Sequence, residues 1–149
     1  MHYYHLPSGE RYKSESQLKN IDNVLLKNHF GRDTTLIAFG GGVAGDLAAY
    51  AASTYMRGLP FVNVPTTLLA MIDSAIGGKT GMNFGGRKNI IGTFYQPELV
   101  FIDTMFLDTL PSREFNSALG ELIKYGLISN KSYLDFLTNN FDELKSKKN

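Results

Sequence analysis

Thr34-Thr35-Leu36-Ile37-Ala38-Phe39 runs directly into Gly40-Gly41-Gly42-Val43-Ala44-Gly45, and the reading of this stretch decides the fold. The first six residues are short and mostly apolar, the signature of a strand buried on both faces. The glycines stop the strand and satisfy G-x-G-x-x-G at its exit. From Val43 to Met56 the spacing predicts a helix rich in small residues, Ala44, Ala48, Ala49, Ala51, Ala52 and Ser53. Such a surface lets a helix pack close to a sheet. Glycines there allow a backbone to approach a diphosphate, and a helix N-terminus offers unpaired N–H groups at the positive end of its dipole. No Asp or Glu follows at roughly 20 residues to take ribose hydroxyls. A nucleotide cradle and a plain tight turn are both consistent with these glycines.

Working outward, Ser14 to Phe30 suits an amphipathic helix carrying Leu18, Ile21, Val24, Leu25 and Phe30, ended by Gly31. Pro60 to Val64 is a second strand, followed by a helix from Thr66 to about Asp73. The glycines between Ser74 and Gly92 favour short strands with turns, and Leu99 to Asp103 is a third buried strand. Strands alternating with helices predict an α/β fold with a largely parallel, Rossmann-like sheet. Composition changes near Leu110-Pro111. Two helices follow, Ser112–Ile128 and Ser132–Leu144, before a solvated tail from Lys145 to Asn149. A boundary near residue 110 therefore separates a nucleotide-binding region, 1–110, from a helical region, 111–149, whose two helices bury little alone.

The chain has 149 residues, 43% hydrophobic and 19% charged, which suits one ordinary domain with a real core. A net charge of +1 advertises no nucleic-acid or anionic-membrane partner. Cysteine is absent, excluding disulfides, thiolate metal sites and cysteine nucleophiles. The polar start from Met1 to Lys13 is no signal peptide, and no apolar run approaches the ~18 residues that span a bilayer. These features predict a soluble, cytoplasmic protein.

Gly77-Gly78-Lys79-Thr80 invites comparison with a triphosphatase phosphate loop, but that motif needs glycine at position 73, which is Asp. Asp73, Lys79, Arg87, Lys88 and Asn89 share a compact glycine-rich segment, where charged groups either line a site or decorate a solvated loop. In the helix after Pro111, Phe115, Ala118, Leu119, Leu122 and Ile123 form an apolar stripe. Glu121 and Lys124 share the opposite side, as a surface ion pair or as a metal-binding carboxylate beside a cation for substrate oxygens. The three histidines, His2, His5 and His29, are too few and too poorly placed for a histidine-rich zinc site within the chain.

The run GGGVAGDLAAYAASTYMRGLPFVNVPTTLLAMIDSAIGGKTGMNFGGRKNIIGTFYQP, followed by TLPSREF and GELIKYG, resembles the 3-dehydroquinate synthase family. The resemblance extends from about Leu6 to Ile128 through several motifs in order. Related sugar-phosphate cyclases share the skeleton, but KNIIGTFYQP is closer to dehydroquinate synthases. The resemblance implies an NAD-dependent, zinc- or cobalt-requiring lyase of the shikimate pathway, acting on 3-deoxy-D-arabino-heptulosonate 7-phosphate. It also implies a homodimer and a sugar-phosphate partner.

By motif, Glu10 and Lys13 match residues that meet the cofactor. Gly41, Gly42, Val43 and Asp46 match the diphosphate and ribose region. Thr66, Thr67, Lys88 and the segment Phe106 to Thr109 match further cofactor contacts. Asp73, Lys79, Asn89 and Lys124 match substrate positions, with Asp73, Lys79 and Lys124 in the catalytic set. Arg57 matches a residue that reaches into the partner subunit's site, and Glu121 matches the carboxylate metal ligand. In this family NAD takes a hydride and later returns it, phosphate is eliminated between the two steps, and the metal polarises substrate oxygens.

The family completes its metal site with two histidines beyond the glutamate, and its first strand carries an acidic ribose ligand. Neither appears here, so the resemblance predicts a partial chain, inactive alone and weak in NAD binding. A metal-dependent polyol dehydrogenase that releases NADH and a non-catalytic nucleotide-binding remnant are the competing readings.

Overall fold

The computed structural model describes residues 1–146. A 3₁₀ turn, Glu10–Tyr12, leads into α1, Glu15–Lys27. Strand β1 (Leu36–Gly40), helix α2 (Gly42–Thr54) and strand β2 (Phe61–Pro65) follow. A hairpin of β3 (Met82–Phe84) and β4 (Arg87–Ile91) precedes β5, Leu99–Val100. The helices α3 (Ser112–Ser129), α4 (Lys131–Asn139) and α5 (Phe141–Ser146) complete the described residues.

The parallel sheet has the order β1-β2-β5, with Leu36 opposite Phe61, Gly40 opposite Pro65 and Val62 opposite Leu99. The predicted α/β architecture is present. Helix α2 packs on β1 and β2, and its small residues explain how closely. A Cβ on Gly45 would lie only 3.2 Å from the Asn63 side chain. Leu47, Ala51, Ala52 and Leu59 are fully buried with Phe61, and Ile21 and Leu25 of α1 join the same core.

The expectation of strands buried on both faces does not hold. Ala38 points at the core, whereas Ile37 is 55%, Phe39 64% and Leu99 54% exposed. The register puts Ile37, Val62 and Leu99 in one row, and period-2 alternation gives that row a single face. Helix α2 covers the other face, and α1 packs against α2. The third strand is also shorter than predicted. Asp103 accepts a hydrogen bond from the Met105 amide at 2.9 Å, capping a 3₁₀ turn, Thr104–Leu107, that turns the chain out of the sheet.

Other boundaries shift for local reasons. Helix α1 ends before Gly31, because His29 adopts φ 55° and the Phe30 amide reaches back to the Leu25 carbonyl. His29 thus takes the left-handed capping position usually given to glycine. The helix expected over 66–73 is largely a π turn, Ala70–Ser74, in which the Ala75 amide bonds the Ala70 carbonyl. The helix expected over 132–144 breaks at Asn140, whose side-chain amide donates to the Phe136 carbonyl and competes with the backbone ladder. The predicted tail is described only to Ser146; residues 147–149 lie outside the described residues.

Candidate functional site

The C-terminal edge of a parallel sheet is where an α/β fold opens a crevice for ligands. Here β1 ends at Gly40 and α2 begins at Gly42 with Gly41 at its cap, which has no capping side chain. The first helical bond runs from the Gly45 amide to the Gly41 carbonyl, so the amides of Gly42, Val43 and Ala44 precede any helical acceptor. Side chains are excluded here by contact. A Cβ on Gly41 would come within 3.1 Å of Thr67, and one on Gly42 within 2.8 Å of Ser74 Oγ.

Thr66 joins this edge through its amide, which donates to the Gly40 carbonyl at 2.9 Å. Thr67 accepts from the Ala70 amide. The ring of Phe106 meets that of Phe39 edge-on at 5.1 Å, and Thr109 Oγ1 donates to the Phe106 carbonyl. The predicted cofactor positions Gly41, Gly42, Val43, Thr66, Thr67, Phe106 and Thr109 therefore gather along one sheet edge. The helix-start amides and the glycine cradle fit a diphosphate.

A second group forms beside α2. Lys13 is buried, and its ammonium donates to Asp46 and to the Asn89 side chain. Burial pushes the Asp46 carboxyl above the usual aspartate range, and the hydrogen bond and charge of Lys13 pull it back. Glu10 is tied in through Asn83, whose side-chain amide donates to Glu10 Oε1 at 2.9 Å. Thus Glu10, Lys13, Asp46 and Asn89, widely separated in sequence, become one hydrogen-bonded cluster.

The third group surrounds the π turn. Lys79 Nζ lies 3.3 Å from Asp73 Oδ1. The Tyr125 hydroxyl donates to the Ile72 carbonyl at 3.3 Å and lies 3.5 Å from Asp73 Oδ1. On the same helix, Lys124 pairs with Glu121 Oε1. Glu121 is 19% and Lys124 55% exposed, so the pair read either as a surface bridge or as a site carboxylate with its cation is half-buried. The Glu121 carboxylate raises the Lys124 ammonium pKa, and Tyr125 is raised first by burial and then by the Asp73 charge.

A crevice of about 10 Å³, room for a single water, is lined by Asp46, Ser74, Gly78, Lys79 and Tyr95. The charge of Lys79 acts on Asp46 across it. Two predicted residues stand apart. Lys88 is exposed on β4. Arg57 follows the C-terminal end of α2, about 20 Å along that helix from the glycine turn, and has φ 69°.

Glu121 fits a metal site as one carboxylate donor beside a cation, and no group of three His, Asp or Glu gathers among the described residues. Sequence reasoning missed Ser74, Asn83 and Tyr125. Tyr125 carried a faint signal, four residues after Glu121 on the same helix; Asn83 carried none.

The family profile described as 3-dehydroquinate synthase N-terminal matches residues 3–117. The 3-dehydroquinate synthase of Pseudoalteromonas translucida is 50% identical over 143 residues, 96% of this chain and 40% of its own length. That of Shewanella pealeana is 51% identical over 141 residues, 95% of this chain and 39% of its own. This chain therefore spans about two fifths of the length of these relatives. Among solved structures, 2-epi-5-epi-valiolone synthase from Streptomyces hygroscopicus, with NAD+ and Zn2+ bound, aligns at TM-score 0.89 and 35% identity. The alignment covers 93% of this chain and 39% of that one. A 2-deoxy-scyllo-inosose synthase complexed with carbaglucose-6-phosphate, NAD+ and Co2+ aligns at TM-score 0.77 and 37% identity, covering 81% of this chain and 33% of that one. With its glycine turn on a parallel sheet and a profile match across most of its length, the chain belongs to the 3-dehydroquinate synthase N-terminal family.

Proposed function

We propose that the protein is a 3-dehydroquinate synthase, converting 3-deoxy-D-arabino-heptulosonate 7-phosphate to 3-dehydroquinate and phosphate. The observation that carries this reading is the packing of the glycine-cradled start of α2 against Ser74 of the π turn, which also carries Asp73 with its partner Lys79. Bound NAD supplies reversible hydride acceptance, and a divalent zinc or cobalt ion supplies Lewis acidity toward substrate oxygens. In this reading the amides at Gly42 and Val43 hold the cofactor diphosphate, with Gly41, Thr66, Thr67 and the segment Phe106 to Thr109 closing around it. Asp46, Glu10 and Lys13 face its ribose side, and Lys88 adds an outer contact.

Asp73, Lys79, Asn89 and Lys124 bind and orient the sugar phosphate, with the two lysines neutralising its oxygens. Glu121 would hold the metal as a carboxylate ligand, and Lys124 beside it would face the substrate oxygens. Arg57, remote from the glycine turn, serves the site of a second subunit in a homodimer. Residues 1–110 form the NAD-binding unit, and 111–149 belong to the helical metal-binding unit.

Because the chain alone is expected to be inactive, the reading is tested with this chain replacing the matching segment of the full-length Pseudoalteromonas translucida relative, incubated with the heptulosonate phosphate, NAD and Zn2+ or Co2+, following phosphate and NADH together. Phosphate release without net NADH supports it. Net NADH from a polyol would instead favour a metal-dependent polyol dehydrogenase.

A further inference from the structure

The β3–β4 hairpin pairs Met82 with Ile91 and Phe84 with Arg87, and its register breaks between these pairs. Asn83 alone on β3 faces the longer stretch 88–90 of β4. An extra length of strand leaves backbone groups without ladder partners and bends the chain. Asn89 lies in that stretch with φ 53°, a left-handed conformation that asparagine tolerates better than most side chains.

The Asn89 amide is satisfied by a side chain. It donates to Asn83 Oδ1 at 2.9 Å. The other end of the same side chain, Asn83 Nδ2, donates to the Glu10 carbonyl at 3.2 Å and to Glu10 Oε1 at 2.9 Å. The Asn83 backbone amide donates to the Lys13 carbonyl at 2.8 Å. One residue therefore fixes both the bulged strand and the 3₁₀ turn that carries Glu10 to Lys13. Its polar capacity is well used, with donor and acceptor ends engaged by different segments.

The consequence reaches the crevice. With Asn89 turned left-handed and Lys13 held from behind, the Lys13 ammonium meets both the Asn89 side chain and Asp46. We propose that Asn83 is a positioning residue: it sets Asn89 and Lys13 so that one ammonium links the cofactor-side carboxylate Asp46 to the substrate-side amide Asn89. This rests on the functional reading above for what the two sides bind, and on the hydrogen-bond geometry for the linkage itself. Asn83 touches neither ligand. It acts by fixing two residues that do.

The test compares the 149-residue chain with Asn83→Ala and with Asn83→Asp, which keeps an acceptor for the Asn89 amide and loses the donor to Glu10. Asn89 amide hydrogen exchange and the Lys13 ammonium nitrogen shift are read by NMR, and NAD is titrated into each protein. Asn83→Ala is expected to speed Asn89 exchange about tenfold, the equivalent of one lost hydrogen bond. It should also move the Lys13 signal and weaken NAD binding about tenfold, while amides of Leu47 and Ala51 in α2 keep their protection. Asn83→Asp should keep Asn89 exchange within about threefold of the parent, because its carboxylate still accepts from that amide, while the Lys13 signal moves as the turn loses its tie. Unchanged Asn89 exchange in Asn83→Ala, or faster exchange with unaltered NAD affinity, overturns the proposal. A parent chain that takes up no NAD removes the functional reading; Asn89 exchange and the Lys13 signal then still decide whether Asn83 positions these residues.

Discussion

The ammonium of Lys13 lies 2.5 Å from Oδ2 of Asp46, with 5% and 18% of the two side chains exposed. The pair joins the turn before α1 to the first turns of α2, and Asn89 of the hairpin shares the same ammonium. Burial alone would disfavour either charge; together, with an amide oxygen completing the lysine's partners, they compensate one another.

Lys13→Met removes one charge and leaves Asp46 buried without its cation. The expected loss is about 2–4 kcal/mol in chemical denaturation, below the range for a fully sealed pair because Asp46 keeps some solvent. The carboxyl of Asp46 should titrate higher still, since the lowering influence of Lys13 is gone. Adding Asp46→Asn to Lys13→Met should recover part of the loss, a coupling of about 1–3 kcal/mol in a double-mutant cycle.

Gly42→Ala introduces a Cβ that would stand 2.8 Å from Ser74 Oγ and narrows the cradle at the start of α2. NAD affinity measured by calorimetry should fall at least about tenfold, equal to ~1.4 kcal/mol. The thermal midpoint should move by only a few degrees, about what a 1 kcal/mol change produces in a domain of this size. An unaltered affinity would place the diphosphate elsewhere.

Asp22 has a buried Oδ1 without a hydrogen-bond partner, and burial raises its pKa. The folded state therefore keeps the proton to higher pH than the unfolded chain, whose aspartates titrate near ~3.9. Stability from this group is complete below that value and falls as pH rises through the folded pKa. Asp22→Asn should thus raise the melting temperature at pH 7 by roughly 1–3 °C, discounted for partial exposure. The two proteins should converge below about pH 3.9, where both side chains are neutral. A difference that persists unchanged in acid would assign the effect to packing instead.

The bare row of Ile37, Leu99 and neighbouring Phe39 presents apolar surface on one side of the sheet. Exposed apolar patches of this kind promote association. Ile37→Lys with Leu99→Lys should lower binding of a hydrophobic dye several-fold and reduce concentration-dependent sedimentation. The folding free energy should change by less than about 1 kcal/mol, because neither side chain contributes to the core. Dye binding at the parent level would show that the patch is not the sticky surface.

Much of the architecture was legible in local pattern. Leu36 to Phe39 reads as a strand, the glycines mark its end, and the alanines of α2 announce a closely packed helix. Boundaries failed where side chains intervened, as at His29, which caps α1, and at Asn140, which splits the last helical stretch. The candidate site was legible through motif resemblance, which supplied Asp46, Asp73, Lys79 and Glu121 separately. It gave no sign of Asn83, because an asparagine in a short strand looks like any turn residue until its partners are known.

By itself, the sequence determined the alternation of strands and helices, the uncapped glycine turn and the absence of cysteine chemistry. These follow from periodicity, backbone freedom and residue type, which act over a few neighbouring positions. Only the tertiary structure decided that Lys13, Asp46 and Asn89 share one ammonium, that Tyr125 reaches the π turn, and that one sheet face stands open. Those outcomes depend on which distant segments exclude water together, and the strength of a charge or hydrogen bond is set by that enclosure rather than by its place along the chain.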